Sequence, residues 1–383
     1  MRLAIVLLAL ASFASAASLR VTDAMLPRLA SEFHVGLDHA SSVITGFAVA
    51  YGLMQILFGP LGDRFGKLRV IGGATGIAAL ATTWCLFAPD LPQLLVGRIL
   101  AGAFCAGIIP LSLAWIGDAV PYKDRQPVIA RFLLGQISGL ALGAAVGGIA
   151  AEQAEFRWPF GLLAAWLAIC AVLILVTARH DPAPPPAPGS SFLRGAAEIL
   201  REPWPRVVVG SVFVEGMFVF GATAFIPTHL HLDRGTELGI AGLALVPYAI
   251  GGAIFAVFAA RFVRVLGEVR LARFGAVILM GGLLLAAWSP HIAVAAAGCL
   301  FAGLGFYMLH NTLQTNATQM APARRGVAVA LFASFFFIGQ SVGVGIAGIL
   351  VERLGTLPVI IGAGILLVPV GAVFARLRAA RAT

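Results

Sequence analysis

The sequence predicts an all-α membrane protein of twelve transmembrane helices. Three observations carry that reading. Hydrophobic residues make up 60% of the 383 and charged residues only 11%, with mean hydropathy +0.96. A soluble globular chain carries about 25% charged residues to cover its surface. The apolar residues fall in twelve runs, each near the ~20 residues a helix needs to cross the hydrocarbon core. The only long polar interruption, 179–203, divides six runs from six.

The runs cover 3–26, 40–58, 70–88, 92–116, 128–150, 158–178, 206–229, 239–260, 270–288, 292–316, 327–350 and 356–375. They are too long, and too apolar on every side, for barrel strands of ~10 alternating residues. Membrane helices accept the Gly and Pro within them. The first run, with Arg2, Leu3 to Ala11 and then Ala14-Ser15-Ala16, imitates a secretory signal. It is expected to be retained, because apolar sequence continues to Leu19 and the internal repeat needs this helix.

Lys and Arg set the orientation. With both termini cytoplasmic, cytoplasmic segments hold 19 of the 26 basic residues, outer segments five (Arg20, Arg28, Arg157, Arg234, Arg353), and spans two (Arg98 and Arg131). The net charge of +9 belongs to these loops. It forms no aromatic-interleaved basic patch, so nucleic acid is not an expected partner. Cys85, Cys105, Cys170 and Cys299 each stand alone in an apolar run, so neither a disulfide, a metal nor a cofactor is expected.

The halves repeat each other. Pro27 matches Pro227, Gly52 matches Gly252, and Arg125 matches Arg325, each 200 residues apart. Gly66-x-x-Arg69 matches Gly267-x-x-Arg270, and Gly135-Gln136-x-x-Gly139 matches Gly339-Gln340-x-x-Gly343, at shifts of 201 and 204. An N-terminal bundle at 1–178, a Pro-rich linker at 179–203 and a C-terminal bundle at 204–383 are expected. Transporters built from repeats carry their substrate site where the repeats meet.

Between runs two and three stands Gly59-Pro60-Leu61-Gly62-Asp63-Arg64-Phe65-Gly66-Lys67-Leu68-Arg69. It resembles the G-x-L-x-D-R-x-G-[RK]-[RK] loop of the major facilitator superfamily, with Leu68 in place of the second basic residue and Arg69 next to it. The resemblance implies the major facilitator fold, two pseudo-symmetric six-helix bundles, and a conformational latch of Gly59, Leu61, Asp63, Arg64, Gly66, Lys67, Arg69 and Asp118. In it Asp63 meets the start of the eleventh helix near Gly326, and Asp118 joins Arg64. The second copy is degraded, with Arg264 where Asp63 would stand.

The fourth run, Arg98-x-x-x-Gly102-x-x-x-x-Gly107-x-x-Pro110, resembles the fourth-helix arginine motif of proton-coupled members. Arg98 lies ~9 Å from the outer end, level with Asp23, and the two are expected to pair or to tune one another. Gly135, Gly139, Gly143, Gly147 and Gly148 form a close-packing stripe. It resembles the glycine-rich fifth-helix motif of antiporters, except that Ala144 replaces its proline.

Glu215 is the only charge between Val207 and Ile226, and an acid inside a membrane marks a functional site by default. It is a candidate for binding substrate or carrying a proton, beside Asp23 and Arg98. Gln136 and Gln340, at equivalent places, and His310, Asn311 and Gln314 of the tenth run are candidate cavity residues; 310 and 314 share a helix face. His229 and His231 read as interfacial.

The drug and sugar efflux branch is the nearest in pattern. The expectation is a monomeric secondary transporter in a bacterial inner membrane, not an enzyme. It would move a small drug-like or amphiphilic molecule outward in exchange for protons, within a lipid bilayer. The rival is a proton-coupled symporter for nutrient uptake; a membrane-embedded sensor or enzyme finds no catalytic cluster.

Overall fold

The computed structural model describes residues 2–153, 155–179 and 192–382, and these are nearly all helical with no strand among them. Eleven helical stretches are long and apolar enough to cross a membrane. One of them, Leu238–Trp288, holds 51 residues. A straight helix of that length spans about 77 Å, more than twice a bilayer core of ~30 Å. It is two crossings joined at Gly267, whose φ of 68° is open to glycine at little cost. The arms fold back to one level of the next span: Gly251 lies against Leu300 and Gly282 against Ala302. The eleven stretches are therefore twelve spans. The even number brings both termini to one face, called here the terminal face; the opposite one is the far face.

Span 1 runs Arg2–Arg20 and resumes as Leu26–Glu32; span 2 is Leu37–Ala40 with Ser42–Phe65; span 3 is Lys67–Phe87. Span 4 is Leu91–Cys105 with Ile108–Ala119, span 5 Tyr122–Ala151 and span 6 Trp158–Ala178. Span 7 is Pro203–Thr223 with Ile226–Leu232, span 8 is Leu238–Leu243 with 246–266, and span 9 is 268–288. Spans 10, 11 and 12 are Ile292–Gln319, Arg325–Leu354 and Thr356–Ala382. Side chains such as Leu80, Phe87 and Val257 point outward as a lipid-facing belt.

The repeat read from sequence reappears as packing, but spans 5 and 11 align at an offset of 200 where 204 was read, so Gly339 corresponds to Gly139 rather than to Gly135, and Gln136 and Gln340 are not equivalent. A Cβ on Gly139 would overlap the carbonyl oxygen of Phe13, and one on Gly339 that of Phe213. Both partners differ by 200. Gly143 against Ala17 and Gly343 against Met217 repeat the same relation one turn on. Gly102 packs on the Phe47 carbonyl and Gly303 on that of Tyr248, each 201 apart. Without water to compete, helices in a membrane associate through such close backbone approach. Spans 1 and 7 are also both broken, at 21–25 and 224–225, whereas the break of span 4 at 106–107 has no counterpart in span 10.

Part of the linker predicted at 179–203, residues 180–191, lies outside the described residues. The remainder is structured: Phe192–Arg201 is a helix whose Ala196 and Ile199 pack on Ala328 and Leu331 of span 11. Glu198 of that helix pairs with Arg324 at the start of span 11.

The halves meet along spans 2 and 11 and along spans 5 and 8, and only toward the far face. Ser341 Oγ donates to the Thr45 carbonyl at 3.0 Å, and Gly52 packs on Phe337. Gly148 packs on Gly242. Toward the terminal face, span 2 leaves Leu53 and Leu57 half exposed, and nothing approaches a Cβ built on Gly59. The two halves are closed at the far face and splayed at the terminal face.

Candidate transport site

Among the described residues, the buried Asp, Glu, Lys and Arg side chains are Arg20, Asp23, Arg98 and Glu215. An unpaired charge in hydrocarbon costs at least a few kcal/mol on insertion scales, so their partners decide what each can do.

Span 1 places Arg20 and Asp23 on one side of its broken end. Arg20 Nη1 lies 2.7 Å from Asp23 Oδ2, and its guanidinium sits 4.4 Å above the Phe220 ring of span 7. Arg20 therefore crosses between the halves. Its assignment to an outer segment is corrected: the residue is 8% exposed. The carboxylate and the aromatic face together offset its desolvation.

Of the two expectations for Asp23 and Arg98, a direct pair or nearby tuning, the direct pair does not form, and Arg98 instead binds the residues next to Asp23. Arg98 donates instead to the Ser18 carbonyl at 2.7 Å, the Val43 carbonyl at 3.3 Å and Thr22 Oγ1 at 3.4 Å, and lies 4.2 Å over the Phe47 ring. The break after Arg20 explains both results. It frees backbone carbonyls of span 1 for Arg98, and it turns Asp23 back toward its i−3 neighbour.

In the other half, span 7 carries Glu215, fully buried, and span 10 carries His310. The two meet with His310 Nδ1 2.7 Å from Glu215 Oε2. His310 stacks among Phe306, Phe332 and Phe336, with ring centroids 5.0, 5.3 and 4.6 Å away. Glu215 Oε1 and Gln340 Oε1 are buried with no hydrogen-bond partner. Gln136 and Asn311 are half-buried and Gln314 is exposed. The structure thus brings Glu215 and His310 into contact, while Gln136 stays apart in the first half.

The latch residues sit at the terminal face. Lys67 Nζ lies 2.6 Å from Asp118 Oδ2 and 3.5 Å from Asp63 Oδ1. Asp118 therefore meets Lys67, where Arg64 was expected: the turn at Gly66 sets Lys67, the first residue of span 3, between Asp63 and Asp118. Arg64 lies over the Phe65 ring at 5.1 Å. Nothing approaches a Cβ on Gly326, in keeping with halves that are apart at this face. Gly66, with φ 90°, makes the turn into span 3. Gly59, Leu61 and Arg69 complete the stretch; Leu61 and Arg69 are exposed.

At the far face a second pair of contacts, unforeseen in the sequence, joins the halves. Glu152, ending span 5, accepts the backbone N–H of Gly239 in span 8 at 2.8 Å. Glu352, ending span 11, accepts that of Leu37 in span 2 at 3.0 Å. The acceptors differ by 200 and the donors by 202. His229, read as interfacial, is instead 1% exposed: its Nε2 lies 2.8 Å from the Ala287 carbonyl and its Nδ1 2.8 Å from Asp233.

Twelve spans in two repeated bundles, closed at one face around buried charges, define a multi-pass membrane transporter. The sequence model of the Major Facilitator Superfamily matches residues 8–344, and the chain belongs to that family. Its members are transporters for small-molecule substrates and not enzymes. An uncharacterized MFS-type transporter of Bacillus subtilis, YceJ, is 26% identical over 86% of this chain and 84% of its own length. The fatty acid resistance protein FarB of Neisseria gonorrhoeae is 27% identical over 42% of this chain and 33% of its own. Several efflux relatives match this chain over less than half of their own length. The nucleoside transporter NupG superposes with a TM-score of 0.79 at 14% identity, covering 99% of this chain and 98% of its own, which shows the shared fold.

Proposed function

We propose that the protein exports a small amphiphilic molecule from the bacterial cytoplasm in exchange for protons, working as a monomer in the inner membrane with both termini cytoplasmic. The terminal face is then the cytoplasmic one, and the state described is open to the cytoplasm. The excess of Lys and Arg on that face supports this orientation.

The observation that carries the reading is the buried Glu215–His310 pair. Glu215 Oε1, shielded and without a partner, is a place for a proton; His310 Nδ1 on the other oxygen can stabilise the charged carboxylate or release it. The pair lies against the aromatic wall of Phe306, Phe332 and Phe336, which suits an apolar substrate body. In the proposed cycle substrate enters from the cytoplasm, the halves rock, and proton uptake from outside accompanies release. Asp23, held by Arg20, is the second candidate carrier. Relatives named for multidrug export and fatty acid resistance support the outward direction.

The test is proteoliposomes carrying a pH-sensitive dye and an imposed pH gradient, screened with amphiphiles. Substrate should dissipate the gradient with wild type and not with Glu215→Gln. Full gradient dissipation by both Glu215→Gln and Asp23→Asn would overturn the mechanism, and accumulation of substrate with the protons would show the nutrient symporter instead.

A further inference from the structure

Between the halves, just beneath the far-face seal, lies a small cavity of about 30 Å³. Leu140, Ala141 and Ala144 of span 5 and Leu245 and Ala249 of span 8 give it apolar walls. Its polar lining is Arg20, Thr223, Tyr248 and Tyr307. We infer that this cavity is the head-group subsite for an amphiphilic monoanion, a carboxylate whose two oxygens meet Arg20 and the hydroxyls of Tyr248 and Thr223. The inference rests on the transport reading above and names its substrate class.

The donors make the argument. A guanidinium has five N–H groups and cannot accept. Arg20 donates its Nη1 to Asp23, and its guanidinium plane lies over the Phe220 ring. Thr223 Oγ1 and Tyr248 Oη are buried with no hydrogen-bond partner. Buried hydroxyls without partners are costly, and a bound acceptor would satisfy both. The space suits two oxygen atoms, since one water needs roughly 10–15 Å³. An alkyl or aryl tail has its own surface. Phe220, beneath the guanidinium, stands 5.4 Å from Phe336 and 6.3 Å from Phe306, and these lead on to His310.

The buried charges favour an anion over a cation. Asp23 is held by Arg20 and Glu215 by His310, so each carboxylate already has a basic partner. Among the described residues, Arg98 donates to neutral oxygens. The unpartnered acceptors Asp23 Oδ1, Glu215 Oε1 and Gln340 Oε1 belong to residues that do not line this cavity, and Glu215 Oε1 is where the exchanged proton goes in the proposed cycle. An anion leaving while a proton enters carries positive charge inward on both legs, so an interior-negative potential drives the exchange as well as the pH gradient does.

The test is equilibrium binding to purified protein in neutral detergent, with decanoate, decanol and decyltrimethylammonium as probes of one chain length. Decanoate should bind wild type at least about tenfold more tightly than decyltrimethylammonium, a tenfold change being what one good charged contact supplies. Arg20→Gln combined with Asp23→Asn, which leaves no orphan carboxylate, should weaken decanoate about tenfold and leave decanol unchanged. Tyr248→Phe, the milder variant, should weaken decanoate a few-fold. Preference for the cation, or decanoate affinity unchanged in both variants, would overturn the inference; so would phosphatidylglycerol displacing decanoate at far lower concentration. No gradient is present, so this result is independent of transport direction and proton coupling.

Discussion

Neutralising the far-face carboxylates should open the far face. Glu152 and Glu352 each accept one backbone N–H from the opposite half, at 2.8 and 3.0 Å. A glutamine keeps an acceptor of the same shape and removes the charge. A charged hydrogen bond contributes about 1.5–3 kcal/mol when shielded, but these side chains face solvent, so about 0.5–1 kcal/mol each is the working figure. The sites are far apart and act on one equilibrium, so the losses add to about 1–2 kcal/mol. That shifts the balance between far-face-closed and far-face-open states roughly 5- to 30-fold, at 1.4 kcal/mol per tenfold. Ser41 reports it: the residue is 1% exposed and lies against Gly348 across the seal. The assay is the rate at which an impermeant maleimide labels Ser41→Cys from the far face. All four native cysteines are buried and give little background. Glu152→Gln with Glu352→Gln should raise the rate by that factor, and each single variant by about its square root. An unchanged rate, or a double variant no faster than either single, would refute the reasoning.

Other expectations follow from the same geometry. Asp63→Asn should slow Ser41→Cys labelling, because in the state described Asp63 pairs with Lys67 and span 11 stands apart, so a latch to span 11 can form only when the terminal face closes. Gly139→Leu and Gly339→Leu should each lower the melting temperature of detergent-solubilised protein sharply, by an overpacking cost of at least 1–3 kcal/mol; Gly59→Ala, with open space around it, should leave melting unchanged. Arg98→Met should destabilise by about 2–4 kcal/mol, since the Ser18 carbonyl and Thr22 hydroxyl lose a charged donor. Asp118→Asn should change melting by less than about 1 kcal/mol, as an exposed ion pair does.

The spans were legible because hydrocarbon imposes a length and a composition on every crossing. The repeat was legible from its glycines, but its register in spans 5 and 11 was misread by one turn, because a stripe of glycines four residues apart matches itself equally well at 200 and 204. Spans 8 and 9 were read as separate, yet their link is a single non-helical residue, Gly267, which composition does not display. Arg20 was counted with the outer segments although the first apolar run, 3–26, extends past it. The spacing to Asp23, three residues on and within the same apolar run, was the available signal of a buried pair. Glu215 and His310 stood out as polar groups in apolar runs, but their contact joins spans 95 residues apart and no local pattern encodes it. Glu152 and Glu352 carried no motif that would single them out, although their separation of 200 residues matched the repeat.

Alternation of the two faces is tested most directly by spin-label distances across both at once. Labels at His39 and Arg353 straddle the far face, and labels at Leu61 and Arg325 straddle the terminal face; all four positions are exposed. Across pH 5 to 8, and between wild type and the doubly neutralised far-face variant, the first distance should lengthen whenever the second shortens. Distances that lengthen together, or a terminal face that stays open while the far face opens, would contradict alternating access in this protein.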